Sequence, residues 1–297
     1  MSGTLKDFSN QLADVIEAAA PSVVTVAARP GRPATGTAWQ DGVVVTSSHA
    51  VVDEEHITVS DAAGDHPATL AGRDSASDIA VLRVEGLKST APAQGEAPRP
   101  GHVVLAVGRG GDLRASVGHV VSTNSRQHGW RGGLGGLILS DAHLYEGFSG
   151  GPLVDTDGNV IGLNSWYYGR GSTRTLPVDA VDRVVKSLLA HGRVKKPYLG
   201  IGTQPVLLDA EAAKQAGQDR GLMVIGVEAD SPAARAGVLQ GDTLVAIDAG
   251  AVAGMRQLFS ALQAMEVDSE HTLRIVRAGA VVDVKVTVGE RTESPEE

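Results

Sequence analysis

Apolar positions come in short bursts along most of this 297-residue chain, at 22–27, 42–46, 57–59, 79–84, 102–107, 137–139 and 160–164, with Gly, Pro, Asp and Ser between them. Bursts this short, bounded by turn formers, read as β-strands, and many in succession predict a β-sandwich or barrel. Two stretches follow a different period. Over 5–20, Phe8, Leu12, Val15, Ile16 and Ala19 fall at helical spacing and Pro21 stops the run. This predicts an N-terminal amphipathic helix within residues 1–20. Over 178–191, Val181, Val184, Val185, Leu188 and Leu189 make one apolar stripe, and Gly192 suits a C-terminal stop. A β-rich domain is therefore expected over 21–192, and the polar stretch 193–197, ending in Pro197, reads as a linker.

A second unit is expected over 198–290. Its signals are a strand-like run at 222–227, then Ser231-Pro232-Ala233-Ala234-Arg235-Ala236-Gly237. That heptapeptide carries a helix start (an N-cap serine with proline at the first position) and a glycine stop. Gly241-Asp242 marks a turn before a strand at 243–247, and 254–265 reads as a helix with Met255, Leu258, Phe259 and Leu262 on one face. Runs at 273–276 and 282–288 pair plausibly as a hairpin around Ala278-Gly279-Ala280. The acidic tail, 291–297, is expected to be disordered.

Three segments at the edges of strand-like runs carry chemistry. They are Thr46-Ser47-Ser48-His49-Ala50-Val51-Val52, Ser77-Asp78-Ile79-Ala80-Val81-Leu82 and Gly147-Phe148-Ser149-Gly150-Gly151-Pro152-Leu153. A serine hydroxyl is a poor nucleophile unless an imidazole takes its proton, and the imidazole needs a carboxylate to fix its tautomer. His49, Asp78 and Ser149 supply these groups in the order His, Asp, Ser found in chymotrypsin. Gly-Phe-Ser-Gly-Gly also matches the nucleophile elbow of α/β-hydrolases. There, however, the base follows the nucleophile and a helix follows the serine. Here only His191 and His271 follow, and Pro152-Leu153-Val154 runs into the turn Asp155-Thr156-Asp157-Gly158 and a further strand. Gly147 and Gly150 permit backbone conformations closed to bulkier residues. They would let the N–H groups of Gly147 and Ser149 meet at one point, an oxyanion hole.

Composition narrows the alternatives. Aromatics are only 3%, so the cores must be built from Val, Leu, Ile and Ala, and 37 glycines suit many tight turns. A net charge of −9 argues against a nucleic-acid binder, which needs clustered Lys and Arg. The chain has no cysteine, hence no disulfide, thiolate metal site or cysteine nucleophile, and no metal or cofactor is implied. No apolar run approaches the ~18–20 residues of a membrane span, and the first residues lack a signal-peptide core. A cytoplasmic location is expected if the sequence is full length, and a cell-envelope one if it has been trimmed.

On these motifs, together with Gly158-Asn159-Val160-Ile161-Gly162-Leu163-Asn164-Ser165 and the C-terminal unit, the chain resembles trypsin-like serine proteases of the HtrA/Deg family over about residues 8–290. The resemblance implies a mainly β fold, a chymotrypsin-like double β-barrel followed by a PDZ domain, itself a β-sandwich with two helices. It implies a serine endopeptidase acting on unfolded or misfolded proteins, with His49 as base, Asp78 as its orienter and Ser149 as nucleophile. Ser165, Trp166 and Tyr167 would pair with substrate backbone, His143 would lie near the floor of the primary specificity pocket, and Leu144 would line its wall. Without Asp at 143, small or medium apolar side chains are expected there. Tyr198, Leu199, Gly200 and Ile201 resemble the loop by which a PDZ domain captures a peptide's C-terminal carboxylate. Family members commonly form trimers through their N-terminal region, which makes residues 5–20 candidates for assembly. The family usually has Asn before the nucleophile. This chain has Phe148, expected to pack against Tyr145 or Tyr167. The rival reading is a catalytically silent peptide-binding or chaperone-like protein.

Overall fold

Each strand-like burst becomes a barrel stave in the computed structural model, which describes residues 4–125, 136–168, 173–195 and 197–291. The chain divides into two compact units, Met1–Val194 and Lys195–Glu297. Most of the acidic tail, 292–297, and Lys196 of the expected linker lie outside the described residues.

In the first unit, β1 (Val23–Ala27), β2 (Ala34–Gln40), β3 (Val43–Ser47), β4 (Ile57–Asp61), β5 (Gly64–Asp74) and β6 (Ile79–Val84) close a barrel in the order β1-β2-β3-β6-β5-β4. A second barrel closes as β10-β11-β12-β9-β8-β7. It comprises β7 (Val103–Arg109), β8 (Leu113–Ser125), β9 (Leu137–Ser140), β10 (Pro152–Val154), β11 (Val160–Ser165) and β12 (Thr173–Pro177). Closure leaves no open sheet edge in either barrel.

The unbroken run at β3 follows from burial on both faces. Val44 packs with Val24, Val26 and Val59 in one cluster. Its neighbours Val43 and Val45 point the other way, into a cluster with Trp39, Leu105, Leu163 and the stripe Val181, Val184, Val185 and Leu188. Successive strand residues face opposite sides, so a strand covered on both reads as continuous apolar sequence. The stripe belongs to α2 (Val178–His191), which ends on Gly192 in the left-handed conformation as its sequence predicts. Trp39 on β2 donates its indole N–H to Asp182 on α2 at 2.6 Å.

The N-terminal helix is α1 (Leu5–Ala19). A reciprocal capping box between Thr4 and Asp7 opens it. A 3₁₀ turn containing Pro21 follows it. Leu12, Val15 and Ile16 pack on the large cluster, whereas Leu5 and Phe8 are exposed. In the β4–β5 hairpin Asp61 is nearly inaccessible. Burial opposes its ionisation, but His66 Nε2 at 3.0 Å and the backbone N–H groups of Lys88 and Ala63, both at 2.8 Å, outweigh burial and hold its pKa at about 2.

The second unit carries a sheet in the order β14-β15-β16-β18-β19, with β17 beside β16 and a separate pair β13-β20. The strands are β13 (Pro197–Tyr198), β14 (Ile201–Leu207), β15 (Arg220–Val227), β16 (Thr243–Ile247), β17 (Gly250–Ala251), β18 (Glu270–Arg277), β19 (Ala280–Thr287) and β20 (Gly289–Glu290). The expected helices appear as α4 (Pro232–Arg235) and α5 (Met255–Ala264). A further helix, α3 (Ala210–Ala216), brings the total among the described residues of this unit to three where two were expected. Its signals were an Asp209 N-cap and Gly217 at the stop, but it spans two turns and turns mainly alanine inward, too weak a stripe to read. Leu199, Leu222, Leu244, Leu258, Leu273 and Val288 belong to this unit's core.

Candidate active site

The three motif residues lie at strand ends, and the first two meet. His49 sits in a 3₁₀ turn directly after β3, and Asp78 directly precedes β6, the strand paired with β3. Asp78 has φ of 49°, a left-handed conformation that Asp tolerates better than most residues. This aims its carboxylate back at the turn. Oδ1 accepts the His49 backbone N–H at 2.9 Å and Oδ2 contacts His49 Nδ1 at 2.8 Å. The Ser165 hydroxyl also donates to Oδ2. Asp78 is buried while the His49 side chain is 38% exposed, so one face of the imidazole stays accessible. The contact at Nδ1 places the proton there and leaves Nε2 as the basic nitrogen. Arg73 on β5 braces this turn, donating to the Ser48 hydroxyl at 3.0 Å, to the Ser48 carbonyl at 3.1 Å and to the Val51 carbonyl at 3.0 Å.

Ser149 is 5% exposed, in the turn leading into β10. Its Oγ accepts the Trp166 N–H at 3.2 Å, and no hydrogen bond joins it to His49 in this structure. Catalytic hydrogen bonds are often long in a resting site and tighten with substrate. The accepted N–H uses an oxygen lone pair and leaves the hydroxyl proton free to be donated.

Backbone accounting identifies what this turn offers a ligand. Every carbonyl from 146 to 151 is taken. The acceptors and donors pair as Glu146 with Arg114 Nη2 (2.9 Å), Gly147 with the Thr35 hydroxyl (2.5 Å) and Phe148 with Gly151 N–H (3.0 Å). Ser149 pairs with Thr35 N–H (3.2 Å), Gly150 with the Thr37 hydroxyl (2.9 Å) and Gly151 with Asn164 N–H (2.9 Å). Phe148, Gly150 and Gly151 donate their own N–H groups to Tyr145, Asn164 and Phe148 respectively. The N–H groups of Glu146, Gly147 and Ser149 find no acceptor among the described residues, and the last two flank Phe148. Gly150 has φ of 87°, and a Cβ there would stand 2.1 Å from the Thr35 carbonyl, so the turn requires glycine on two counts.

Phe148 is fully buried, packing edge-on against Tyr145 with ring centroids 5.5 Å apart. The expected partnership with Tyr145 is the one found. Leu144 is buried in the same cluster as Phe148. His143 is exposed and stands edge-on to Tyr145 at 4.5 Å. Trp166 and Tyr167, in a 3₁₀ turn after β11, are about half exposed, whereas Ser165 is buried with its hydroxyl on Asp78. No group of three or more His, Asp or Glu suited to a metal ion occurs among the described residues.

In the second unit Tyr198 lies on β13, paired with β20, and Ile201 opens β14. Leu199 is buried and its carbonyl accepts Ala233 N–H at 2.9 Å, while the Gly200 carbonyl accepts Glu228 N–H at 2.9 Å. The N–H groups of Leu199 and Gly200 have no acceptor among the described residues. Gly200 has φ of 80°, and a Cβ there would lie 2.2 Å from Ser231 Cβ. The Tyr198 hydroxyl donates to Glu228. Burial, then this carboxylate, push its pKa up. β14 is an edge strand, and α5 approaches it where the Thr203 hydroxyl contacts Met255 Sδ at 3.2 Å.

Sequence reasoning missed Thr35, Thr37, Arg73 and Arg114, which hold the turns that carry His49 and Ser149. No local pattern marks them, since each acts on residues distant in sequence.

Comparison with known proteins agrees with this architecture. Residues 34–163 match the trypsin-like peptidase domain and residues 197–288 match the PDZ domain. The chain is a trypsin-like peptidase domain followed by one PDZ domain. A probable periplasmic serine endoprotease, DegP-like, of Chlamydia pneumoniae is 30% identical over 84% of this chain and 53% of its own length. One of Brucella suis biovar 1 is 31% identical over 84% of this chain and 50% of its own. The chain thus spans about half the length of the curated relatives it matches. Among solved structures, the HtrA-type protease AlgW with tripeptide superposes with a TM-score of 0.78 at 28% identity, covering 95% of this chain and 98% of that one. The serine endoprotease from Yersinia pestis gives 0.75 at 25% identity, covering 98% and 100%. The architecture is that of the HtrA-type proteases, as the sequence motifs implied. The expected cytoplasmic location does not stand, because these relatives are named periplasmic. The expectation rested on a missing leader pattern, which is no positive signal for a compartment. No helix among the described residues is long and apolar enough to cross a membrane.

Proposed function

We propose that the chain is a serine endopeptidase of the cell envelope that cleaves unfolded or misfolded proteins and binds peptide C-termini through its PDZ domain. The observation that carries the reading is the pair of unengaged N–H groups at Gly147 and Ser149, in a turn whose carbonyls are all held and beside a buried Asp78 paired with an accessible His49. Ser149 Oγ attacks the scissile carbonyl while His49 Nε2 takes its proton. The tetrahedral oxyanion accepts the Gly147 and Ser149 N–H groups. His49 then returns the proton to the leaving amine, an acyl-Ser149 remains, and water repeats the sequence to release the acid. Asp78 fixes the imidazole and stabilises its charged form. Exposed Tyr145, Trp166 and Tyr167 offer apolar surface near the nucleophile, in keeping with small or medium apolar side chains at the cleaved bond. Exposed Leu5 and Phe8 on α1 support assembly, as a trimer, through that helix.

Casein cleavage and labelling by a fluorophosphonate test the reading. The wild type is expected to cleave casein and to be labelled at Ser149 alone. Ser149→Ala should lose about 10⁶-fold in rate while keeping the fold and the affinity for C-terminal peptides. A wild type that binds such peptides but neither cleaves nor labels would establish the silent chaperone-like alternative.

A further inference from the structure

We infer that Arg114, on β8, is a positioning residue for the oxyanion hole, an inference that rests on the peptidase reading. Of the six carbonyls from 146 to 151, five are held by buried threonine hydroxyls or by backbone N–H groups. The sixth, on Glu146, is held by the guanidinium of Arg114, an exposed side chain, at 2.9 Å. That carbonyl belongs to the same peptide unit as the Gly147 N–H. No cis peptide occurs among the described residues, so the N–H and C=O of this unit point in opposite directions. Holding the Glu146 oxygen toward Arg114 therefore fixes the direction in which Gly147 presents its N–H.

The guanidinium is itself placed from below. Its central carbon stands 5.9 Å from the centroid of the Phe148 ring, the side chain between the two donor residues. A cation over an aromatic face is attracted by the ring quadrupole. Phe148 therefore seats the arginine that orients the peptide before it. This gives the aromatic residue at 148 a role that packing against Tyr145 does not explain. The remaining charged groups nearby are Arg32 and Glu146. They stand 4.0 Å apart on largely exposed side chains, in an ion pair too solvated to hold the backbone. With Gly31, Pro33 and Gly110, the same residues line an open cavity of about 230 Å³ bordered by Gly147, where a guanidinium is free to leave if the contact is weak.

A positioning role predicts loss in the transition state without loss in the ground state. Arg114→Met keeps the side-chain length and removes the donors. With a short apolar peptide substrate, its kcat is expected to fall about 10- to 100-fold, less than or equal to loss of a whole oxyanion donor, with KM within about twofold. The affinity of a peptide boronate, which forms a tetrahedral adduct on the serine, should fall by the same factor. Arg114→Lys, which restores a donor and a cation, should recover much of both. Arg114→Ala repeats the test should the methionine variant fail to fold. A kcat and boronate affinity within about twofold of wild type, or a loss confined to KM, overturn the inference. Failure of the wild type to label with fluorophosphonate overturns the peptidase reading instead, so the two failures are distinguishable.

Discussion

Two loops in this molecule each hold out a pair of backbone N–H groups, and they are tied down differently. Around 147–149 half of the six carbonyls from 146 to 151 are held by side chains from distant strands, Thr35 and Thr37 on β2 and Arg114 on β8. At 199–200 the carbonyls of Leu199 and Gly200 are held by the backbone N–H groups of Ala233 and Glu228. A loop tied by backbone keeps its shape under most side-chain changes. One tied by side chains can be tuned, or released, by single substitutions. The difference suits the two tasks proposed above. Capturing a carboxylate needs donors that are merely present, whereas stabilising a transient oxyanion needs donors already aimed when charge develops.

The comparison breaks most sharply at Asp78. Asp78→Asn should lower kcat by on the order of 10⁴-fold by stabilising the wrong imidazole tautomer, with peptide binding at 198–201 unchanged by calorimetry. Asn tolerates the left-handed backbone at this position, so the fold should survive. An effect on both sites would mean that the two loops are not independently held. Gly200→Ala is the converse test. The new Cβ would meet Ser231 and adopt an unfavourable φ. Affinity for a free-acid C-terminal peptide should drop at least tenfold, toward that of the amidated peptide, while cleavage of short peptides stays within about twofold. Equal affinity for free-acid and amidated ligands in the wild type would remove the carboxylate role of this loop.

The smallest expected effect separates titration from unfolding. Asp61, in the barrel that carries His49, has its pKa depressed to about 2. Its contribution to stability is therefore complete above the unfolded value near 4 and is lost only as pH falls through about 2. The amount is on the order of 2 kcal/mol. Proteolysis should be lost on acidification while near-UV circular dichroism of the barrels persists to lower pH. Simultaneous loss of both signals would assign the acid sensitivity to unfolding.

Much of this was legible because the signals were local. His49, Asp78 and Ser149 each stand beside a run of valine, isoleucine or leucine that becomes a strand, and Gly192 and Ser231 are helix punctuation in their own sequence contexts. Thr35 was not legible. It reads as one threonine in a small-residue strand, and its partner Gly147 lies 112 positions away. Ser165 was read as part of the substrate-binding segment, and its second use, donating to a carboxylate 87 positions earlier, appears only when both barrels have closed. His143 shows the limit of motif transfer. Its place in sequence follows from Ser149, but its exposure depends on how Tyr145 packs beside it.

The Asp78 carboxylate that joins these long separations also bears on the chain's safety during its own synthesis. His49 and Asp78 are made and can meet early, since only 29 residues part them. The nucleophile's turn waits for the second barrel, and Ser165 reaches Asp78 only after that barrel's fifth strand is in place. Contacts with such wide separation form late, because closing the loop costs entropy before it returns any contact. A ribosome-bound fragment thus carries a base with no aligned hydroxyl to activate. On the peptidase reading proposed above, the unfinished fold is its own safeguard against self-digestion, and the site is completed only with the last strands.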